Sequence, residues 1–84
     1  MSPKIETVEP LEGTKLKLCF DNGEQRVFDV TPYLSKGVFS ELAAPAYFRR
    51  VVASRNHVEW PNGQDFSRDT LYLRSVPAGT LRAA

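Results

Sequence analysis

The chain has 84 residues, 42% of them hydrophobic and 25% charged, with a net charge of +1. That bounds it to one small domain with a single core, excludes a bilayer-spanning helix because no apolar run approaches the roughly 20 residues required, and argues against strong nonspecific attraction to nucleic acid. Cys19 is the single cysteine and Met1-Ser2-Pro3-Lys4 leads into an alternating strand rather than a signal-peptide core, so a reducing, cytoplasmic location is the default expectation.

In chain order, Met1 to Lys4 are expected to fray. Ile5 and Val8 are out of phase for a regular strand, which demands a bulge or a short strand, and Pro10 is expected to end it. Leu11-Glu12-Gly13-Thr14 reads as a turn into Lys15–Val30, where two strand signals flank Asp21-Asn22-Gly23. Parity selects the loop. A two-residue Asn22-Gly23 turn would place Phe28 and Val30 on the face opposite Leu16, Leu18 and Phe20. A three-residue loop with Gly23 in the left-handed region pairs Phe20 with Glu24 and Leu16 with Phe28, and gathers all five on one side. Burial of a large side chain is worth roughly 1.5–3 kcal/mol, against about 0.2–1 kcal/mol between cross-strand pairs, so the bulged register is predicted.

After Val30 the period changes towards 3.6. Thr31 is placed to cap a turn with Pro32 at its first position, and Gly37 stops it. A second short helix is predicted over Val38–Ala44, interrupted by Pro45 and followed by another turn from Ala46. Leu34, Val38, Phe39, Leu42 and Phe48 are its expected core-facing residues. Val51–Ser54 and His57–Trp60 then read as a second hairpin around Arg55-Asn56, closed by Pro61-Asn62-Gly63, with the Trp60 indole N–H finding a partner at the rim. Ser67 is a sound N-cap for a helix from Arg68 to about Arg74, in preference to a last strand suggested by Leu71 and Leu73. The expected architecture is an α+β domain over residues 1–74, an antiparallel sheet of a three-stranded meander plus a second hairpin, covered by short helices. Residues 75–84 read as a flexible tail.

No catalytic, metal or cofactor constellation stands out. His57 has no second His or Cys at ligand spacing, and Asp29 and Asp65 both have a structural use as acceptors of backbone N–H groups at a helix start and a loop. Charge is uneven, however. Residues 1–45 carry five Lys or Arg against seven acids, whereas residues 46–84 carry six Arg against three acids and no Lys. Arginine suits bidentate contacts better than lysine, and arginine with aromatics is the composition of interface hot spots. The candidate partner-binding residues are therefore Tyr47, Arg49, Arg50, Arg55, Arg68, Tyr72 and Arg74. A non-catalytic protein-interaction or regulatory module is the favoured reading. A nucleic-acid-binding module using the same arginines with Tyr47 and Trp60 is the alternative.

The runs Phe20-Asp21-Asn22-Gly23-Glu24, Phe28-Asp29-Val30 with Tyr33-Leu34, Val58-Glu59-Trp60-Pro61-Asn62-Gly63-Gln64-Asp65-Phe66 and Asp69-Thr70-Leu71-Tyr72 resemble the bacterial family of domains of unknown function 2442, DUF2442, over roughly residues 4 to 74. The resemblance implies a compact domain of a sheet and short helices with no established activity and no catalytic residues to carry over. Some members are similar to the N-terminal half of longer proteins with a helix-turn-helix DNA-binding domain, a half expected to have no counterpart in these 84 residues. Genes of such proteins tend to lie beside a small family suspected of toxin–antitoxin roles, which implies a protein partner.

Overall fold

The Lys15–Val30 hairpin adopts the bulged register. In this computed structural model, which describes residues 2–81, strands β1 (Ile5–Leu11), β2 (Lys15–Phe20) and β3 (Gln25–Asp29) form an antiparallel meander in which Leu16 faces Phe28 and Cys19 faces Gln25. The Phe20 N–H donates to the Glu24 carbonyl at 2.9 Å, closing a loop of Asp21-Asn22-Gly23 with Gly23 at φ +89°. A β-carbon on Gly23 would meet nothing within 4 Å, so the demand for glycine there comes from the backbone alone. Gly23→Ala is expected to cost about 1 kcal/mol, the ordinary penalty for an L-residue in that region. The shift of the urea-unfolding midpoint measures it, and an unchanged midpoint would remove the argument.

The bulge expected in β1 lies between Ile5 and Thr7. Pro10 does not end the strand: it pairs with Leu16, and its missing N–H is tolerated because β1 is the sheet edge. Nor do residues 2–4 fray. The Lys4 N–H donates to Asp21 Oδ1 at 3.1 Å, its carbonyl accepts from Asp21 N at 2.8 Å, and Ser2 is buried; Met1 lies outside the described residues.

The expected helical cover is built mainly of 3-10 turns, at Thr31–Tyr33 and Gly37–Ala43, followed by helix α1 (Pro45–Phe48). The residue that caps the first turn is Asp29, whose Oδ1 accepts from Thr31 N at 2.9 Å, while the Thr31 hydroxyl reaches back to the Gly13 carbonyl. Phe39 packs on the core and Leu42 is buried within it, but Val38 is 67% exposed, against expectation. The reason is the period. With three residues per turn, positions 39 and 42 eclipse one another and position 38 turns away.

The second hairpin gains a strand, giving an antiparallel sheet of β4 (Val52–Ala53), β5 (His57–Glu59) and β6 (Asp65–Ser67). The β5–β6 loop repeats the first hairpin's bonding, with Trp60 N donating to Gln64 O at 2.9 Å and Gly63 N to Trp60 O at 3.0 Å. Helix α2 (Arg68–Leu73) follows, capped by Ser67 Oγ, which accepts from Thr70 N; Leu71 is buried and Leu73 exposed. Asp65 lies exposed in β6 and makes no side-chain hydrogen bond among the described residues.

The tail expected from residue 75 is corrected over its first part. Strand β7 (Val76–Pro77) pairs with β3, Ser75 is buried, and a 3-10 turn at Ala78–Leu81 packs on β3. What holds it is Arg26, whose guanidinium donates to Ser75 Oγ at 2.7 Å and to the Ser75 carbonyl at 2.8 Å. Residues 82–84 lie outside the described residues.

One core joins the two sheets and the helices. Ile5, Leu16, Leu18, Phe20, Phe28 and Val30 meet Val58, Trp60 and Phe66, with Leu42, Phe48 and Leu71 closing the sides. Trp60, Phe28 and Phe39 thus share a core as expected, joined through Phe66, whose ring lies 6.0, 5.0 and 5.0 Å from theirs.

Candidate interaction site around Arg49

The expected site residues fall in three places. On the cover, Arg49 and Arg50 end α1, their N–H groups bonded to Pro45 O and Tyr47 O, and both are exposed. Beside the β4–β5 turn, Arg55 reaches Asp21 at 3.5 Å, and the Arg68 N–H donates to Asn56 O. At the far end of α2, Arg74 is its exposed C-cap residue.

Both tyrosines face inward through their hydroxyls. Tyr47 donates to Gln64 Oε1 at 2.6 Å and accepts from Asn62 N at 2.9 Å, which ties the cover to the β5–β6 loop. Tyr72 donates to Glu24 Oε2 and carries the Arg26 guanidinium 4.8 Å above its ring. The Tyr72 hydroxyl, the Asn22 amide and Arg26 hold the Glu24 carboxyl below its ordinary 4.5, and the same bond raises the Tyr72 phenol above 10.0. The carboxylate's contribution to stability is therefore complete above 4.5 and is lost as pH falls below it. The phenol's is complete below 10.0 and is lost above it, so the pair is intact in the window between.

One array on the second sheet has the outline of a nucleophile chain. Ser54 Oγ lies 2.8 Å from His57 Nδ1, and His57 Nε2 lies 2.6 Å from Glu59 Oε1. The serine oxygen, however, also accepts the N–H groups of Asn56 and His57, at 3.3 and 3.2 Å, so it braces the hairpin turn, and Ser54 and Glu59 are exposed to solvent. No group of three His, Cys, Asp or Glu that could hold a metal occurs among the described residues.

A pocket of about 230 Å³ lies beside Arg49. Its apolar walls are Leu11, Leu42, Ala43, Pro45 and Phe48, and its rim is Arg49, Glu12 and the Gly13-Thr14 turn, where φ is +80° and +59°. Of these lining residues only Arg49 was among the candidate partner-binding residues; Leu42 and Phe48 read as core and residues 11–14 as a turn. The others come from two segments some thirty residues apart, and only tertiary structure brings them together. Arg49, Arg50, Arg68 and Arg74 form no ion pair among the described residues, whereas Arg26 and Arg55 do.

No helix among the described residues is long and apolar enough to cross a membrane. No curated protein and no solved structure matches the chain. A family profile matches it over residues 5–77, including β7, and on that match the chain belongs to the family described as protein of unknown function DUF2442.

Proposed function

We propose that the protein is a non-catalytic interaction module of the bacterial cytoplasm that docks a protein partner on the face carrying Arg49 and Arg50. The observation that carries this reading is the exposed Arg49, which lines a pocket with apolar walls and is followed by the exposed Arg50, neither of them in an ion pair among the described residues. Charge with adjacent buried apolar area is what a hot spot combines, and an arginine already bound to a carboxylate of its own chain would have to give that contact up. A regulatory pair of the toxin–antitoxin kind is the setting that the family resemblance suggests. Nucleic-acid binding draws support from the four arginines that form no ion pair among the described residues, but these are divided between the cover, the β4–β5 turn and the end of α2 on a chain of net charge +1.

The test is the affinity of the protein that co-purifies with the tagged chain from its own host, measured with Arg49→Ala/Arg50→Ala at two salt concentrations. Rim contacts lose association rate and salt sensitivity; a buried anchor loses about 2 kcal/mol or more. An unchanged affinity removes this surface, and a co-purifying nucleic acid whose binding falls steeply with salt would favour the other reading.

A further inference from the structure

We infer that the pocket beside Arg49 receives one leucine-sized side chain from an acidic peptide segment of the partner, an inference that rests on the arginine face being the docking surface. Size comes first. At about 230 Å³ the pocket lies below the roughly 300–1,000 Å³ of sites that enclose a drug-sized ligand or cofactor, and suits a single apolar side chain. Its lining agrees, since Leu42 and Phe48 are buried beneath it and Leu11, Ala43 and Pro45 form its sides.

The sign of the flanking charge is read from the rim. Arg49 lines the pocket and Arg50 follows it, both exposed. The Lys15 ammonium folds over the turn, 3.2 Å from where a β-carbon on Gly13 would stand. Glu12 on the rim and Asp29, which faces Lys15 across β2 and β3, are the opposing charges, and neither forms an ion pair with Arg49 or Arg50 among the described residues. With Lys15 set against Asp29, the excess charge is that of the exposed Arg49 and Arg50 over Glu12, which favours carboxylates beside the inserted residue. A second copy of the chain is a poor occupant. Among the described residues its exposed large apolar side chains are Val38, Val52, Leu73 and Val76; each has Lys36, Arg50 or Arg74 within two positions, and none has an acid that close.

The experiment titrates the ¹⁵N-labelled full chain with capped peptides Glu-Asp-Leu-Asp-Glu, Glu-Asp-Ala-Asp-Glu and Lys-Arg-Leu-Arg-Lys and with a short oligothymidylate, following amide shifts. The acidic leucine peptide is expected to move the amides of residues 11–14, Ala43, Phe48 and Arg49. The alanine peptide should bind at least about tenfold more weakly, since even one methylene in an apolar pocket discriminates by that order. Arg49→Ala should weaken binding a few-fold, and Glu12→Gln should tighten it by a similar factor. Ala43→Phe, which fills the pocket from its exposed wall, should abolish the preference for leucine. If its spectrum shows loss of fold, Ala43→Leu replaces it. Equal binding of the leucine and alanine peptides with intact arginine dependence overturns the pocket inference and leaves the arginine face standing. Binding of the basic peptide or the oligothymidylate at these amides, or no shift with any peptide, overturns both.

Discussion

Trp60→Ala is expected to leave the chain without a cooperative unfolding transition. The side chain is 2% exposed, packs on Phe48 and Phe66 at 5.8 and 6.0 Å, and gives its indole N–H to the Phe48 carbonyl at 2.8 Å, a partner inside the core and not at the rim. Truncation of a buried Trp removes about 3–5 kcal/mol, and leaving the carbonyl without a donor adds about 1–3 kcal/mol. A domain of this size stands near the low end of about 5–15 kcal/mol, so the loss is comparable with the whole. Trp60→Phe keeps a six-membered ring and loses the donor together with the smaller ring of the indole, so most of the packing is retained. It should unfold cooperatively, with a midpoint lowered by about 1–3 kcal/mol on the urea scale. Circular dichroism reads both variants, since Trp60 is the single tryptophan and fluorescence would vanish with it. A cooperative Trp60→Ala variant would mean that the two sheets do not depend on this residue for their contact.

Gln64→Leu should be the most damaging change of a polar residue. Gln64 is 2% exposed and satisfied on every side: its amide donates to the Val38 carbonyl at 2.9 Å and to Glu41 Oε1 at 2.7 Å, and its oxygen accepts from Tyr47. It is the clip between the β5–β6 loop and the 3-10 cover. Leucine fits the volume but leaves the Val38 carbonyl and the Tyr47 hydroxyl short of partners, for an expected loss of about 2–4 kcal/mol. The cycle with Tyr47→Phe distinguishes a clip from mere packing. Residues in one hydrogen-bond network couple by about 0.5–3 kcal/mol, so the double variant should lose less than the two singles together. Additive losses would show that Tyr47 and Gln64 act separately.

What could be read in the sequence was local. The Lys15–Val30 register, the β1 bulge and the Ser67 cap each depend on residues within a few positions, where parity and side-chain reach decide the answer. The misreadings share a cause as well. β6 holds one apolar residue, Phe66, between Asp65 and Ser67, and the strong cap signal of Ser67 masked the strand in front of it. β7 has two residues and exists because Arg26, 49 positions earlier, holds Ser75. Tyr47 and Tyr72 looked like surface aromatics because Gln64 and Glu24, 17 and 48 positions away, gave no sign that they would take the hydroxyls. The pocket beside Arg49 was invisible for the same reason.

The pairing of β3 with β7 has a consequence for how the chain is made. A ribosome delivers residues in order at about 5–20 per second, and the first hairpin has everything it needs once Asp29 has emerged. Its third strand then waits with one edge open, the Arg26 guanidinium without its serine, until synthesis has passed Pro77. For those seconds β3 is a bare edge of the kind on which strands of neighbouring chains align. The outer side of β2 and β3 carries Lys15, Lys17, Gln25 and Asp29 beside Val27, and like-charged Lys15 and Lys17 on adjoining nascent chains repel each other. Among the described strands β7 is therefore the one that covers the open edge of β3.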